Sequence, residues 1–205
     1  MALFKILAGL LYVLAGGWGY YQSRGDGKFS RPVFAALLCS MAGDVVLALD
    51  HKRGALFLLG VACFSAAHVL YSLAFCRVSA LSWLDVAGAL AVFAGLLSLL
   101  LLGDFAFQGL LPVIVGYAAV ISLMVVKALS LWRCRREWGR AAVLVMCGGV
   151  LFLLSDMVLL FWMFGRGMPR GVQYASLLVY YMAQGCLAAS LSRDGRSILS
   201  PQKKV

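Results

Sequence analysis

Two aspartates stand where a carboxylate is expensive. Asp44 lies inside LCSMAGDVVLALD and Asp156 inside GGVLFLLSDMVLLFWMF, both among apolar residues on either side. A charge at the centre of a bilayer costs on the order of 3 kcal/mol on insertion scales, so each carboxyl needs a proton or a partner. A neutral acid bonded to a nearby serine or carbonyl for packing alone is the plain alternative. Two such groups at similar depth offer more, since intramembrane carboxylates line cavities or pathways. Their surroundings echo each other, with Gly43-Asp44-Val45-Val46-Leu47 against Ser155-Asp156-Met157-Val158-Leu159. The echo is too short to establish a repeat.

Further polar residues follow helical spacing. Ser65, His68, Tyr71 and Ser72 form one stripe in GVACFSAAHVLYSLAF, and Tyr180, Tyr181 and Gln184 form another near the C-terminus. Tyr117, Met124 and Lys127 share a face that reads as an amphipathic stripe ending in a snorkelling lysine. Asp26, Asp50, Asp85 and Asp104 fall near segment ends and read as solvated or headgroup-facing charges. No GxSxG elbow, Walker loop, HExxH or GxGxxG after a strand is present. His51 and His68 are the only histidines, too few for a three-histidine metal site in one chain. What is left is acid–base chemistry with no metal and no cofactor.

The elements that must hold these residues are membrane helices. The 205 residues are 63% hydrophobic and 13% charged, with mean hydropathy +0.95, outside the usual mix of a soluble domain. Apolar runs bounded by charge, Gly or Pro predict an all-α bundle of seven spans: Leu3–Tyr21, Val33–Leu49, Gly54–Phe75, Leu81–Leu102, Gln108–Trp132, Ala141–Phe164 and Gly171–Leu191. Residues 1–192 make one transmembrane domain and 193–205 a basic cytoplasmic tail. The first segment, with aromatics in its long apolar run, reads as a helix rather than a cleavable signal. Pro32 and Pro169 are expected at or just before helix starts, and Pro112 in a first turn. Gly43, Gly60, Gly88, Gly95, Gly148 and Gly149 are expected to let helices approach closely. Trp83, Trp132, Trp138 and Trp162 read as interface anchors.

The net charge of +10 sits in gaps between apolar runs and in the tail, a topology signal rather than a nucleic-acid surface. Lys5, Lys52, Arg53, Arg166 and Arg170 fall on one side and the other thirteen basic residues on the opposite side. The positive-inside rule then places the N-terminus outside and the C-terminus in the cytoplasm, as in a bacterial inner membrane. At about 1.5 Å per residue, Asp44 and Asp156 lie roughly 9 and 13 Å from the outer ends of their helices. The six cysteines form no CxxC and imply neither a disulfide framework nor a zinc site.

SMAGDVVLALD, then GALFLLGVACFSAAHVLYSLAF, then GGVLFLLSDMVLLFWMF, then VYYMAQGCLAASL, in this order, resemble the YhhN-like lysoplasmalogenase family of membrane hydrolases. The resemblance runs from Met1 to about Ser192. It implies that the paired catalytic acids fall on Asp44 and Asp156, and polar pocket positions on Ser40, His68, Tyr71, Ser155, Tyr181 and Gln184. Family members are drawn with eight helices, so the segment around Phe4-Lys5 looks like the family's second helix. The implied reaction cleaves the vinyl ether of a lysoplasmalogen, giving a fatty aldehyde and glycerophosphoethanolamine or glycerophosphocholine. The implied partners are a lysophospholipid substrate and the surrounding lipids. His68, Tyr71, Tyr181 and Gln184 are expected to hold glycerol, water or headgroup, and Phe64 and Phe152 to accept the chain. The competing readings are a proton-coupled small-molecule or lipid transporter using the same aspartates, and a non-catalytic bundle.

Overall fold

In lipid every backbone N–H and C=O must be satisfied within the segment, which leaves the helix as the local solution for these apolar runs. The computed structural model of the chain describes residues 2–23, 27–49, 54–167, 169 and 171–192. They contain seven α-helices: α1 (Ala2–Gln22), α2 (Gly27–Leu49), α3 (Ala55–Val78), α4 (Trp83–Leu102), α5 (Leu111–Ser130), α6 (Arg135–Phe164) and α7 (Gly171–Ala189). A short 3-10 turn, Leu131–Cys134, joins α5 to α6. Five stretches are long and apolar enough to cross a membrane, and the longest, Leu111–Phe164, holds α5, the turn and α6. The chain is an all-helical integral membrane protein. The 19-residue α7 is not among those stretches, since its polar residues lower its hydropathy.

Local chemistry sets the helix ends. Ser82 and Asp85 form a capping box at the start of α4, each side chain accepting from the other's backbone N–H. Pro112 stands in the first turn of α5, and Pro169 precedes α7. Pro32 departs from expectation: α2 starts at Gly27, so the proline lies inside the helix rather than at its threshold. At Gly139 the backbone turns to φ 50°, ψ −127°, a left-handed excursion that interrupts α6 just before the apolar run begins at Ala141.

α2 packs closely on α3 and α6 on α7, while α1 bridges the two pairs by touching α2 and α7. α5 touches α3, α4 and α6, and α4 rests on α5. Missing side chains permit these approaches: a Cβ on Gly43 would stand 2.7 Å from the Phe64 ring, and one on Gly149 would stand 2.6 Å from Ala128 Cβ. Gly95 is a correction, since it faces open space. α6 and α7 are also clasped by serines: Ser155 Oγ donates to the Ser176 carbonyl at 3.0 Å, and Ser176 Oγ donates back to the Ser155 carbonyl at 3.1 Å.

Asp85 and Lys127 overturn two expectations. Neither faces headgroups; Asp85 is 1% exposed and Lys127 fully buried. Lys127 Nζ donates to Asp85 Oδ2 at 3.0 Å and to the carbonyls of Ser79 and Ala80 at 2.9 and 3.3 Å, while Arg133 donates to Asp85 Oδ1. The tight α3–α4 turn aims carbonyls and a carboxylate at α5, so the ammonium finds acceptors inside the protein and has no need to snorkel. Asp104 matches its expectation, pairing with Arg166 at 3.3 Å with both side chains largely exposed. Asp26, Asp50, His51 and residues 193–205 lie outside the described residues.

Two measurements test this packing. Asp85→Asn strands a buried ammonium and is expected to lower unfolding free energy in detergent by about 3 kcal/mol, with part regained in Asp85→Asn/Lys127→Met. A single variant that melts with the wild type removes the triad from the account of stability. Ser155→Ala and Ser176→Ala are each expected to cost roughly 0.6 kcal/mol, the double costing less than the sum because the two bonds form one clasp. Full additivity in thermal denaturation counts against the clasp.

Candidate active site

Seven alternating helices bring the start of α1, the end of α2, the start of α3, the end of α4, the start of α5, the end of α6 and the start of α7 to one end of the bundle. A cavity of about 350 Å³ lies in that half, lined by residues from all seven helices. Its wall is mostly apolar, with Phe64 from α3, Leu96 and Leu100 from α4, and Ile114 and Ile121 from α5. Asp44 and Asp156, 112 positions apart in the chain, both line it.

Asp44 is 5% exposed. Its Oδ2 accepts from Tyr180 at 2.9 Å and from Tyr12 at 3.3 Å, two phenols contributed by α7 and α1. Behind Tyr180 the chain of bonds continues. Gln184 Nε2 donates to the Tyr180 hydroxyl at 3.1 Å, and Tyr71 donates to Gln184 Oε1 at 2.9 Å. The glutamine sits one helical turn after Tyr180, so its amide fixes the phenol's position along α7.

Asp156 has a different setting. Tyr117 donates to its Oδ2 at 2.6 Å, and His68 Nε2 lies 2.7 Å from the Tyr117 hydroxyl and 3.8 Å from the carboxylate. With Tyr117 donating to Asp156, the phenol oxygen accepts from His68 Nε2–H, which fixes the tautomer and leaves Nδ1 without a hydrogen-bond partner among the described residues. The ring of Phe152 stands between the two networks, its centroid 4.6 Å from that of His68 and 5.4 Å from that of Tyr180.

The residues expected in the pocket divide into three groups. Asp44, Asp156 and Ser155 line the cavity, and Ser155 spends its hydroxyl on the α6–α7 clasp. His68, Tyr71 and Gln184 are fully buried behind the cavity wall, positioning the aspartates' phenol donors instead of facing the open space. Ser40 is likewise fully buried beside Tyr71, one turn before Asp44 but without a bond to it. Tyr181 sends its hydroxyl to the Lys5 carbonyl at 3.4 Å. Phe64 lines the cavity, whereas Phe152 is wholly buried behind it. Ser65 and Ser72 donate to carbonyls one turn back on their own helix, at 2.9 and 2.8 Å.

Tyr12, Tyr117 and Tyr180 are the phenols on the carboxylates, and pattern reading gave none of them that place. For Tyr180 a signal existed, since it and Gln184 are four residues apart and so share a face. Tyr117 was legible only as part of a stripe, and Tyr12 has no polar neighbour on its own helix to mark it.

A family model described as the YhhN family matches residues 1–191. Lysoplasmalogenase TMEM86B of Sus scrofa is 32% identical over 173 residues, covering 82% of this chain and 66% of that protein. Lysoplasmalogenase TMEM86B of Homo sapiens is 31% identical over 193 residues, covering 92% of this chain and 71% of its own length. The chain thus spans about two thirds of the length of the curated relatives it matches. No solved structure gives a significant match. With the family model covering almost all of the sequence up to the basic tail, the chain belongs to the YhhN family.

Proposed function

We propose that this chain is a lysoplasmalogenase that hydrolyses the vinyl ether of a lysophospholipid by two-aspartate acid–base chemistry. The observation that carries the reading is that Asp44 and Asp156 line one largely apolar cavity, each tethered by phenol O–H donors from other helices. Membership of a family whose curated relatives bear that name gives the substrate class.

Asp156, with Tyr117 on Oδ2, carries its transferable proton on Oδ1 and gives it to the β carbon of the vinyl ether, generating an oxocarbenium ion. Asp44 accepts two phenol donors on one oxygen, an arrangement suited to the ionised partner that stabilises the cation and takes a proton from water. Water adds to the α carbon, and the hemiacetal collapses as Asp44 returns its proton to the departing ether oxygen and Asp156 takes the hydroxyl proton, giving a fatty aldehyde and the glycerophospho alcohol with both carboxyls restored. The division of labour parallels that of the carboxyl pair in glycoside hydrolysis, which also passes through an oxocarbenium-like state. His68, Tyr71 and Gln184 act by holding the phenols. The reading includes a bacterial inner membrane, with the cavity's end of the bundle outside and the cation-rich end in the cytoplasm.

Asp44→Asn and Asp156→Asn are each expected to lower aldehyde release from a lysoplasmalogen by at least about a hundredfold, with the folded protein still recovered from the membrane. The ester-linked analogue is expected to yield no aldehyde. Near-wild-type turnover in either purified variant takes that aspartate out of the mechanism. pH-driven flux in vesicles without aldehyde favours the transporter instead.

A further inference from the structure

Lys5 is the one Lys or Arg among the described residues lining the cavity. It sits in the first turns of α1, partly buried, and lines the same cavity as Asp44. Its backbone is anchored, because Tyr181 donates to its carbonyl and the Phe4 ring packs edge-on to Tyr181 with centroids 5.7 Å apart. Its ammonium has no ion pair among the described residues, where the ion-paired cations are Lys127, Arg133 and Arg166. At this end of the bundle Arg166 is committed to Asp104 on the surface. Lys28, Arg31, Arg77, Lys127, Arg133, Arg135, Arg136 and Arg140 belong to the opposite end. Among the described residues Lys5 is the one cation on an otherwise apolar and acidic cavity wall, a specific place for an anion.

We infer that Lys5 binds the phosphodiester of the lysophospholipid and so sets both headgroup selection and the direction in which substrate lies. With the phosphate on Lys5, the glycerol backbone spans the distance to Asp44, the vinyl ether falls between the two aspartates, and the chain runs along Leu96, Leu100 and Ile121. The inference rests on the hydrolase reading for the identity of the ligand, and its test is therefore a binding measurement that needs no turnover.

Two saturated ether probes that cannot be hydrolysed as vinyl ethers, 1-O-hexadecyl-glycerophosphoethanolamine and 1-O-hexadecylglycerol, are titrated into purified wild-type protein, Lys5→Met and Lys5→Arg. The wild type is expected to bind the phosphate-bearing probe at least about tenfold more tightly, the value of a charge-assisted hydrogen bond. Lys5→Met is expected to abolish that preference while still binding hexadecylglycerol, which shows that the variant is folded, and Lys5→Arg to retain it. A preference that survives Lys5→Met, or none in the wild type, overturns the assignment. Displacement of the lipid probe by inorganic phosphate alone overturns it in favour of a free-anion site. Aldehyde release from a lysoplasmalogen is followed in parallel. No aldehyde, with Lys5-dependent binding intact, defeats the hydrolase reading and leaves Lys5 standing; aldehyde with no phosphate preference does the reverse.

Discussion

A carboxyl group inside a membrane must be supplied with hydrogen-bond donors by the protein, because lipid supplies none. This requirement organises the bundle. Asp44 on α2 draws Tyr12 from α1 and Tyr180 from α7, while Asp156 on α6 draws Tyr117 from α5, with His68 from α3 behind it. Six of the seven helices thus contribute a group to one or other network. α4 contributes only apolar wall, and its main packing partner is α5. At the opposite end Asp85 faces the same demand and meets it with Lys127 and Arg133, which puts cations where lipid headgroups would otherwise have served.

The two solutions give the bundle unlike ends. Around Asp85 the acceptors and donors are matched directly, so the triad ties α4 and α5 to the α3–α4 turn. Around Asp44 and Asp156 phenols meet the carboxylates beside an open cavity, since a tyrosine reaches across a helix interface without bringing a second full charge. The segment after α4 closes over this half. Phe105 pairs with Gly165 in an antiparallel bridge, Ala106 N–H donates to the Phe164 carbonyl at 2.9 Å, and Phe107 packs on Phe164, a cavity-lining ring.

Much of this was legible in the sequence, in a definite order. Hydropathy located the helices because burial in lipid is a property of composition over some twenty residues, and it missed mainly at ends, as where α2 continues through Pro32. The two aspartates were legible because their cost in lipid is a local property. Their partners were not. The contacts that satisfy Asp44 join residues 32 and 136 positions apart, and helical periodicity says which residues share a face without saying which helix that face meets. The same gap explains Lys127, whose charge and position suit snorkelling until the α3–α4 turn is known to lie beside it.

The GDVVL and SDMVL segments show how little of a carboxylate's role is written next to it. Both place an aspartate one to two turns before a helix end, on helices running in the same direction, with nearly the same apolar neighbours. The fold then makes their settings differ, with two phenols converging on one oxygen of Asp44, and a single phenol backed by a neutral-donor histidine on Asp156. Acid–base catalysis by two identical groups needs their proton affinities pushed apart, and local sequence similarity works against that. On the proposed mechanism that separation comes from the partners that distant helices supply, which is why Tyr12, Tyr117 and Tyr180 matter to it as much as the aspartates.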